Sequence, residues 1–314
     1  MEGLPIPDVT VNDPIPVGVG AQTSAIAYGE GGVWVAYYQD DGNHLARIDP
    51  GTGKVVDDIK VDTGPSWESG GGGLTVGDGS VWLTGGSGRG SLLVRVDPVA
   101  GRVTADIELG EGWGADVVVD ASGVWVMSFA RGGDGPVRVD RVDPATNQVV
   151  ATIPLQEDYG HFLVAVGGRI VAQTNQTSKD REVGGAVLYF IYSTTNAIAR
   201  REPIGFYAWP AVGDVGAQLW LNAGPDLIEM DPATGDVIAQ FAVPSTGDAI
   251  SVGAGGVWFL AASNRAAIHL FDPATGQVGG SVDIPGSSPV AFAVAPHAIW
   301  VLNYDGTVIQ VQLH

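Results

Sequence analysis

The chain has 314 residues, 45% hydrophobic and 16% charged, with 47 glycines and no cysteine. That supports a sizeable core and excludes disulfides, thiolate metal sites and a cysteine nucleophile. A formal charge of −20, from 35 acidic and 15 basic residues, argues against nucleic acid, whose phosphates need Lys and Arg, and against an anionic membrane surface.

Taken in chain order, the start "MEGLPIPDVTVNDPIPVG" lacks the basic and apolar regions of a signal peptide. It reads as a mature secreted or cell-envelope form with an added Met, a cytosolic start being the alternative. No apolar run reaches the roughly 18 residues of a membrane span, so no membrane insertion is expected. Next come "SAIAYG", "VWVAYY", "HLARID" and "KVVDDIKV", short alternating runs bounded by Gly, Pro and Asp, which read as four strands.

The same quartet then recurs. Its second strand is marked by Trp34, Trp82, Trp125, Trp220, Trp258 and Trp300, with Val171 in the one copy without Trp, at spacings of 48, 43, 46, 49, 38 and 42 residues. Its third and fourth strands are joined by one phrase: "RIDPGTGKVV" from Arg47, "RVDPVAGRVT" from Arg95, "RVDPATNQVV" from Arg141, "EMDPATGDVI" from Glu229, "LFDPATGQVGG" from Leu270, and a worn copy "IYSTTNAIAR" from Ile191. The phrase is a hairpin turn. Asp accepts backbone N–H groups, Pro pre-sets φ, and Gly supplies a left-handed residue; Asn147 and Asn196, at that last place in two copies, are the next-best choice. Four antiparallel strands per unit of roughly 40–45 residues predict an all-β, seven-bladed β-propeller, one domain over 1–314. The last unit, "VAFAVAP", "HAIWVLNYDG", "TVIQVQLH", has three strands, so the N-terminal "PDVTVNDPIPVG" is expected to supply the fourth and close the ring.

The unit "GxVWV … L.RIDP.TG.VV..I.VG" resembles the YVTN/YncE-like and streptogramin (virginiamycin B) lyase-like seven-bladed propellers. The lyase branch implies a metal-dependent enzyme with a catalytic His and nearby acidic residues, which here falls on His161 and Glu157 with a divalent metal. Repeats of that branch read "GPDGxLWFTE"; the matching runs here are "VWVAYY", "VWLTGG", "VWVMSF" and "VWFLAA", with no acidic residue at that place.

Function is expected on the propeller face that gathers the fourth-to-first and second-to-third loops. The loops 62–73, 110–116, 156–162 and 205–211 bring Trp67, Glu68, Trp113, Asp116, Tyr159, His161, Tyr207 and Trp209, and the loops between second and third strands bring Arg131 and Arg265. Aligned on the tryptophan strand, Trp113 and Tyr159 share a place and Trp209 lies one position later. An aromatic rim on blades two to five fits a binding surface. Of five histidines, only His161 is expected on this face, with Glu157 and Asp158 before it. No zinc-type spacing appears, and "YQDDGNH" reads as a hairpin turn and not a calcium loop. The sequence therefore points to a monomeric, non-catalytic recognition propeller without cofactor, its partner a small molecule, glycan or protein. Its alternatives are a metal-assisted lyase or hydrolase and a protein-interaction scaffold.

Overall fold

In the computed structural model the described residues are 6, 8–18, 22–61, 73–87, 90–130, 136–157, 159–177, 183–204, 209–211, 218–243, 249–261, 266–286 and 289–314; for 22, 87, 176, 177, 183, 184, 209–211 and 261 only the backbone is described. They form seven antiparallel sheets with strands in chain order and no helix among the described residues. Blades 1 to 6 span 22–61, 74–110, 113–154, 159–203, 209–242 and 250–283, and the inner strand of each touches that of the next, with the seventh touching the first. Blade 7 contributes Pro289–Ala295, Ala298–Asn303 and Thr307–Leu313. Its fourth strand is the N-terminus: Val9 pairs with Leu313 and Val11 with Val311, and beyond Asn12 the chain pairs again, Ile15 with Val308. The ring is closed as the three-strand last unit requires.

The second strand of each blade lies between two neighbours, and its side chains are buried on both flanks. Alternation therefore fails there, as for any doubly covered strand. Trp34, Trp82, Trp125, Trp220, Trp258 and Trp300 are all essentially inaccessible. In blades 1, 2 and 6 the indole Nε1 donates to the carbonyl of the residue five earlier, Gly29, Gly77 and Gly253, at 3.0–3.2 Å; in blade 3 the acceptor is the Asp120 carboxylate at 3.1 Å. The buried Nε1 of Trp220 and Trp300 has no acceptor among the described residues.

The repeated phrase forms the expected turn. Asp97 Oδ1 accepts the N–H groups of Val99 and Ala100, Asp143 Oδ1 that of Ala145, and Asp272 Oδ1 that of Ala274, all at 2.8–2.9 Å. These bonds hold the Asp97 and Asp143 carboxyls below the usual carboxylate range, and the Thr52 hydroxyl and N–H, at 2.9 and 2.8 Å, do the same for Asp49. The residue four after each Asp, and after Tyr192 in the worn copy, has a positive φ: 63° at Gly53, 59° at Gly101, 56° at Asn147, 62° at Asn196, 72° at Gly235 and 69° at Gly276. Where the worn copy has Tyr192 for Asp, the ring lies against the Arg169 guanidinium, 3.7 Å from its centroid.

These turns also join the blades. The third-strand arginine of blades 1, 2 and 3 stacks on its own blade's tryptophan and reaches the next turn: Arg47 Nη1 to Pro98 O at 2.9 Å, Arg95 Nη1 to Pro144 O at 2.6 Å, Arg141 Nη1 to Asn196 Oδ1 at 3.2 Å. Blade 4 reaches blade 5 from its outer strand, through Arg200 and Asp236 at 3.0 Å. The phrase is thus a hairpin on its own strand and an acceptor for the preceding blade.

Candidate functional site

The inner strands lead down from the loop face, and four of them carry a β-bulge at one place: between Thr23 and Ala25, Gly114 and Asp116, Gly160 and Phe162, and Pro289 and Ala291. A bulge re-aims the extra residue's side chain. In blade 4 that residue is His161.

Around His161 the described residues form an aromatic patch across blades 3 and 4. Trp113 pairs with Phe129 at the loop end of blade 3, and Tyr159 with Asn175 at the loop end of blade 4. The Phe129 and Tyr159 rings are 5.0 Å apart, Tyr159 meets the His161 imidazole edge-on at 4.6 Å, and His161 stacks on Phe162 at 5.8 Å. The Asn175 amide hydrogen-bonds His161 Nε2 at 2.9 Å. Tyr159 is 39% exposed, while Trp113, Phe129, His161 and Phe162 are half-buried. Burial pulls the His161 pKa down to about 4, so the imidazole is neutral at physiological pH.

The carboxylate expected to serve His161 is committed elsewhere. Glu157 is buried, with Oε1 taking Arg201 Nη2 at 2.6 Å and Nε at 3.1 Å, and Oε2 taking the Thr174 hydroxyl at 3.2 Å. Arg201 Nε also donates to the Tyr189 hydroxyl at 3.2 Å. The reason is strand geometry: the Glu157 carbonyl takes the Val137 N–H of blade 3 at 2.9 Å, just before the inner strand Tyr159–Val166, and its side chain turns toward the outer strand of blade 4, where Arg201 pairs with Tyr189. The expected His161–Glu157 pair is not formed.

Asp116, expected as a ligand contact, links two inner strands. Its Oδ1 accepts the Val117 N–H and its Oδ2 the Leu163 N–H of blade 4, both at 2.8 Å. Gly73, at the matching place in blade 2, permits this: a Cβ there would stand 2.6 Å from Asp116 Cα. Although part of the residue stays accessible, crowding of the carboxyl pushes its pKa up to about 7, against the pull of the two N–H groups.

Trp209 is also displaced from its expected place. It pairs with Asn222, two residues past Trp220, as Asp116 pairs with Met127 and Phe162 with Gln173, and so stands in register with Asp116 and not beside Trp113. The first hairpin of blade 5 is longer: Ala211 faces Trp220 across eight residues, where Val118 faces Trp125 across six. Trp67, Glu68, Arg131, Tyr207 and Arg265 lie outside the described residues, as does the side chain of Trp209.

Sequence reasoning missed one constellation on this face. His44, one of the four histidines not expected on this face, sits at the loop end of its strand in blade 1. Its Nδ1 is 3.0 Å from Asp58 Oδ1 and its Nε2 3.0 Å from Asp41 Oδ1. The Tyr37 ring stacks on it at 5.2 Å and donates its hydroxyl to Asp58 at 2.8 Å. Burial and the Asp58 bond raise the Tyr37 pKa, while Lys60 and His44 lower that of Asp41. "YQDDGNH" carried the signal, but Asp58 comes from the outer strand and its approach needs the sheet register.

No protein-family model matches the chain, and no curated protein does either. Among solved structures, the crystal structure of selenomethionine-substituted virginiamycin B lyase from Staphylococcus aureus is similar, with a TM-score of 0.76 and 16% identity over 98% of this chain and 100% of that one. The chain therefore shares that enzyme's seven-bladed fold.

Proposed function

We propose that this is a recognition propeller whose aromatic patch on blades 3 and 4 binds a small uncharged ring, a sugar or a heteroaromatic. The observation that carries the reading is Tyr159, left 39% exposed against Phe129 and a neutral His161, with Trp113 paired across the strands with Phe129. A solvent-facing ring held by other rings is an anchor built at low entropic cost. The nearby carboxylates, Glu157 and Asp116, are both engaged, so the described part of the patch offers stacking and amide contacts in place of charge. The test is ligand-observed NMR with methyl glycosides and neutral heteroaromatic fragments. Binding that weakens roughly 5- to 100-fold in Tyr159→Ala and Trp113→Ala supports the reading; absence of hits, or hits indifferent to both changes, overturns it.

The fold shared with virginiamycin B lyase favours a second reading, metal-assisted lyase chemistry at His161. The described residues do not fit the metal that reading needs. Among them no group of three His, Asp or Glu is placed to hold an ion, and the His161 imidazole, Glu157 and Asp116 all face protein partners. Incubation with virginiamycin B and divalent metal, followed by mass spectrometry, decides: turnover lost in His161→Ala would replace recognition by catalysis.

A further inference from the structure

Two residues past the tryptophan, the second strand is apolar and buried in blades 1, 3, 6 and 7, with Ala36, Met127, Leu260 and Leu302. In blade 2 the place belongs to Thr84, whose hydroxyl takes the Gly73 N–H at 2.7 Å, and in blade 5 to Asn222. In blade 4, where Val171 marks the tryptophan place, it belongs to Gln173. That side chain is wholly buried, and neither its Nε2 nor its Oε1 meets a partner among the described residues. A buried amide left unpaired costs free energy, and native proteins keep few of them. Met127 and the leucines show that the fold itself does not ask for an amide here.

Gln173 lies one layer beneath the aromatic patch. It pairs with Phe162 of the inner strand, and Asn175, two residues on, pairs with Tyr159. Paired residues and residues two apart share a flank, so Gln173, Asn175 and Phe162 stand on the flank of Val171 and Val164, which pack on Leu221 of blade 5. Thr174 between them faces the other way, to Glu157. Asn175 gives its Nδ2 to His161 Nε2 at 2.9 Å, and its buried Oδ1 has no partner among the described residues. Unmatched atoms of two neutral amides thus line the blade 5 side of the patch, next to its histidine.

We propose that Gln173 is the specificity-determining residue of the patch, and that it reads the lactam edge, an N–H beside a C=O, of a flat uncharged heterocycle. This rests on the recognition reading above and narrows it. A carboxamide presents a donor beside an acceptor in one plane, and a lactam presents the complement. Asn175 Oδ1 adds an acceptor and no charge, so nothing in this set favours an ion. A sugar would set further hydroxyls against Phe162, Val164, Leu188 and Leu221, where they find no partner, whereas a flat lactam is polar along one edge alone. The amide lies shut in the seam and unpaired. Turning on its flexible stem toward the patch, it meets the ligand with both polar atoms, so binding relieves the cost of the orphan.

The experiment is ligand-observed NMR titration of the full chain with isocarbostyril, a flat lactam, and with N-methylisocarbostyril, which keeps the rings and the carbonyl but loses the N–H. The lactam is expected to bind at least about fivefold tighter than its methylated form. Gln173→Met, which copies Met127, should bind the two alike, while Tyr159→Ala should weaken both. Gln173→Leu, which copies Leu260 and Leu302, is the second variant, and both changes are expected to melt no lower than the parent, since each removes an unpaired buried amide. If both probes bind through Tyr159 with no preference for the N–H, or if the preference survives in the Gln173 variants, the lactam assignment falls and the patch stands. If neither probe binds, this proposal falls together with the ring-binding reading. A melting temperature several degrees lower in both Gln173 variants would mean that the amide is paired within the protein, and would also overturn the proposal.

Discussion

The clearest perturbation is the removal of Arg201 from Glu157, because it separates a structural carboxylate from a catalytic one. Glu157 is 1% exposed at its side chain and Arg201 29%. Arg201→Ala removes both N–H donors from Oε1 and leaves the charge with the Thr174 hydroxyl alone. Stranding a buried charge in this way costs about 3–5 kcal/mol. For 314 residues at about 2.1 cal/mol/K each, the unfolding entropy is about 0.7 kcal/mol/K, so the melting temperature should fall by about 4–8 °C. Glu157→Gln removes the charge and keeps an acceptor for Thr174, so it should cost less. The double change Glu157→Gln/Arg201→Met should recover most of the loss, since a neutral pair has no charge to strand. Calorimetry at pH 7 on the four proteins is the assay. An Arg201→Ala melt within about 1 °C of the parent, or a double variant as unstable as Arg201→Ala, would refute the argument and return Glu157 to the pool of available carboxylates.

Deleting residues 1–17 should strip the outer strand from blade 7, exposing the edge of Thr307–Leu313 and removing Val9, Val11, Ile15 and Val17 from two core clusters. A loss of about 5 kcal/mol is expected, with a denaturant midpoint to match, and an unchanged midpoint would deny that the N-terminus closes the ring. Stability against pH should show two opposed contributions. The Asp116 pKa is raised to about 7 from 3.8, so the folded state holds that proton more tightly and its contribution to stability falls as pH rises from about 4 to 7. The His161 pKa is lowered from 6.5 to about 4, so its contribution falls as pH drops through that window. Melts between pH 4 and 7 should therefore slope one way in His161→Gln and the other in Asp116→Asn, and parallel curves for both variants would contradict the burial argument. Tyr159→Ala, at an exposed position, should melt within about 2 °C of the parent; a fall of many degrees would make the ring a plug and not a binding anchor.

The sequence by itself determined the architecture, because a propeller writes its topology locally. Each blade is a set of hairpins between neighbouring strands, and the devices that make them recur in order: the buried tryptophan, the Asp that accepts turn N–H groups, and Gly or Asn at positive φ, as Asn147 and Asn196 confirm. Even the closure was legible, since a three-strand last unit and an orphan strand at the start complete one another. The site was legible only as a set of loops. Whether two loop residues meet depends on bulges, hairpin lengths and the flank each side chain takes, and these are properties of the assembled sheet. Two extra residues in the first hairpin of blade 5 moved Trp209 out of line with Trp113. Glu157, four residues from His161, turned to Arg201 of the outer strand, and His44 gathered Asp41 and Asp58 across its own blade.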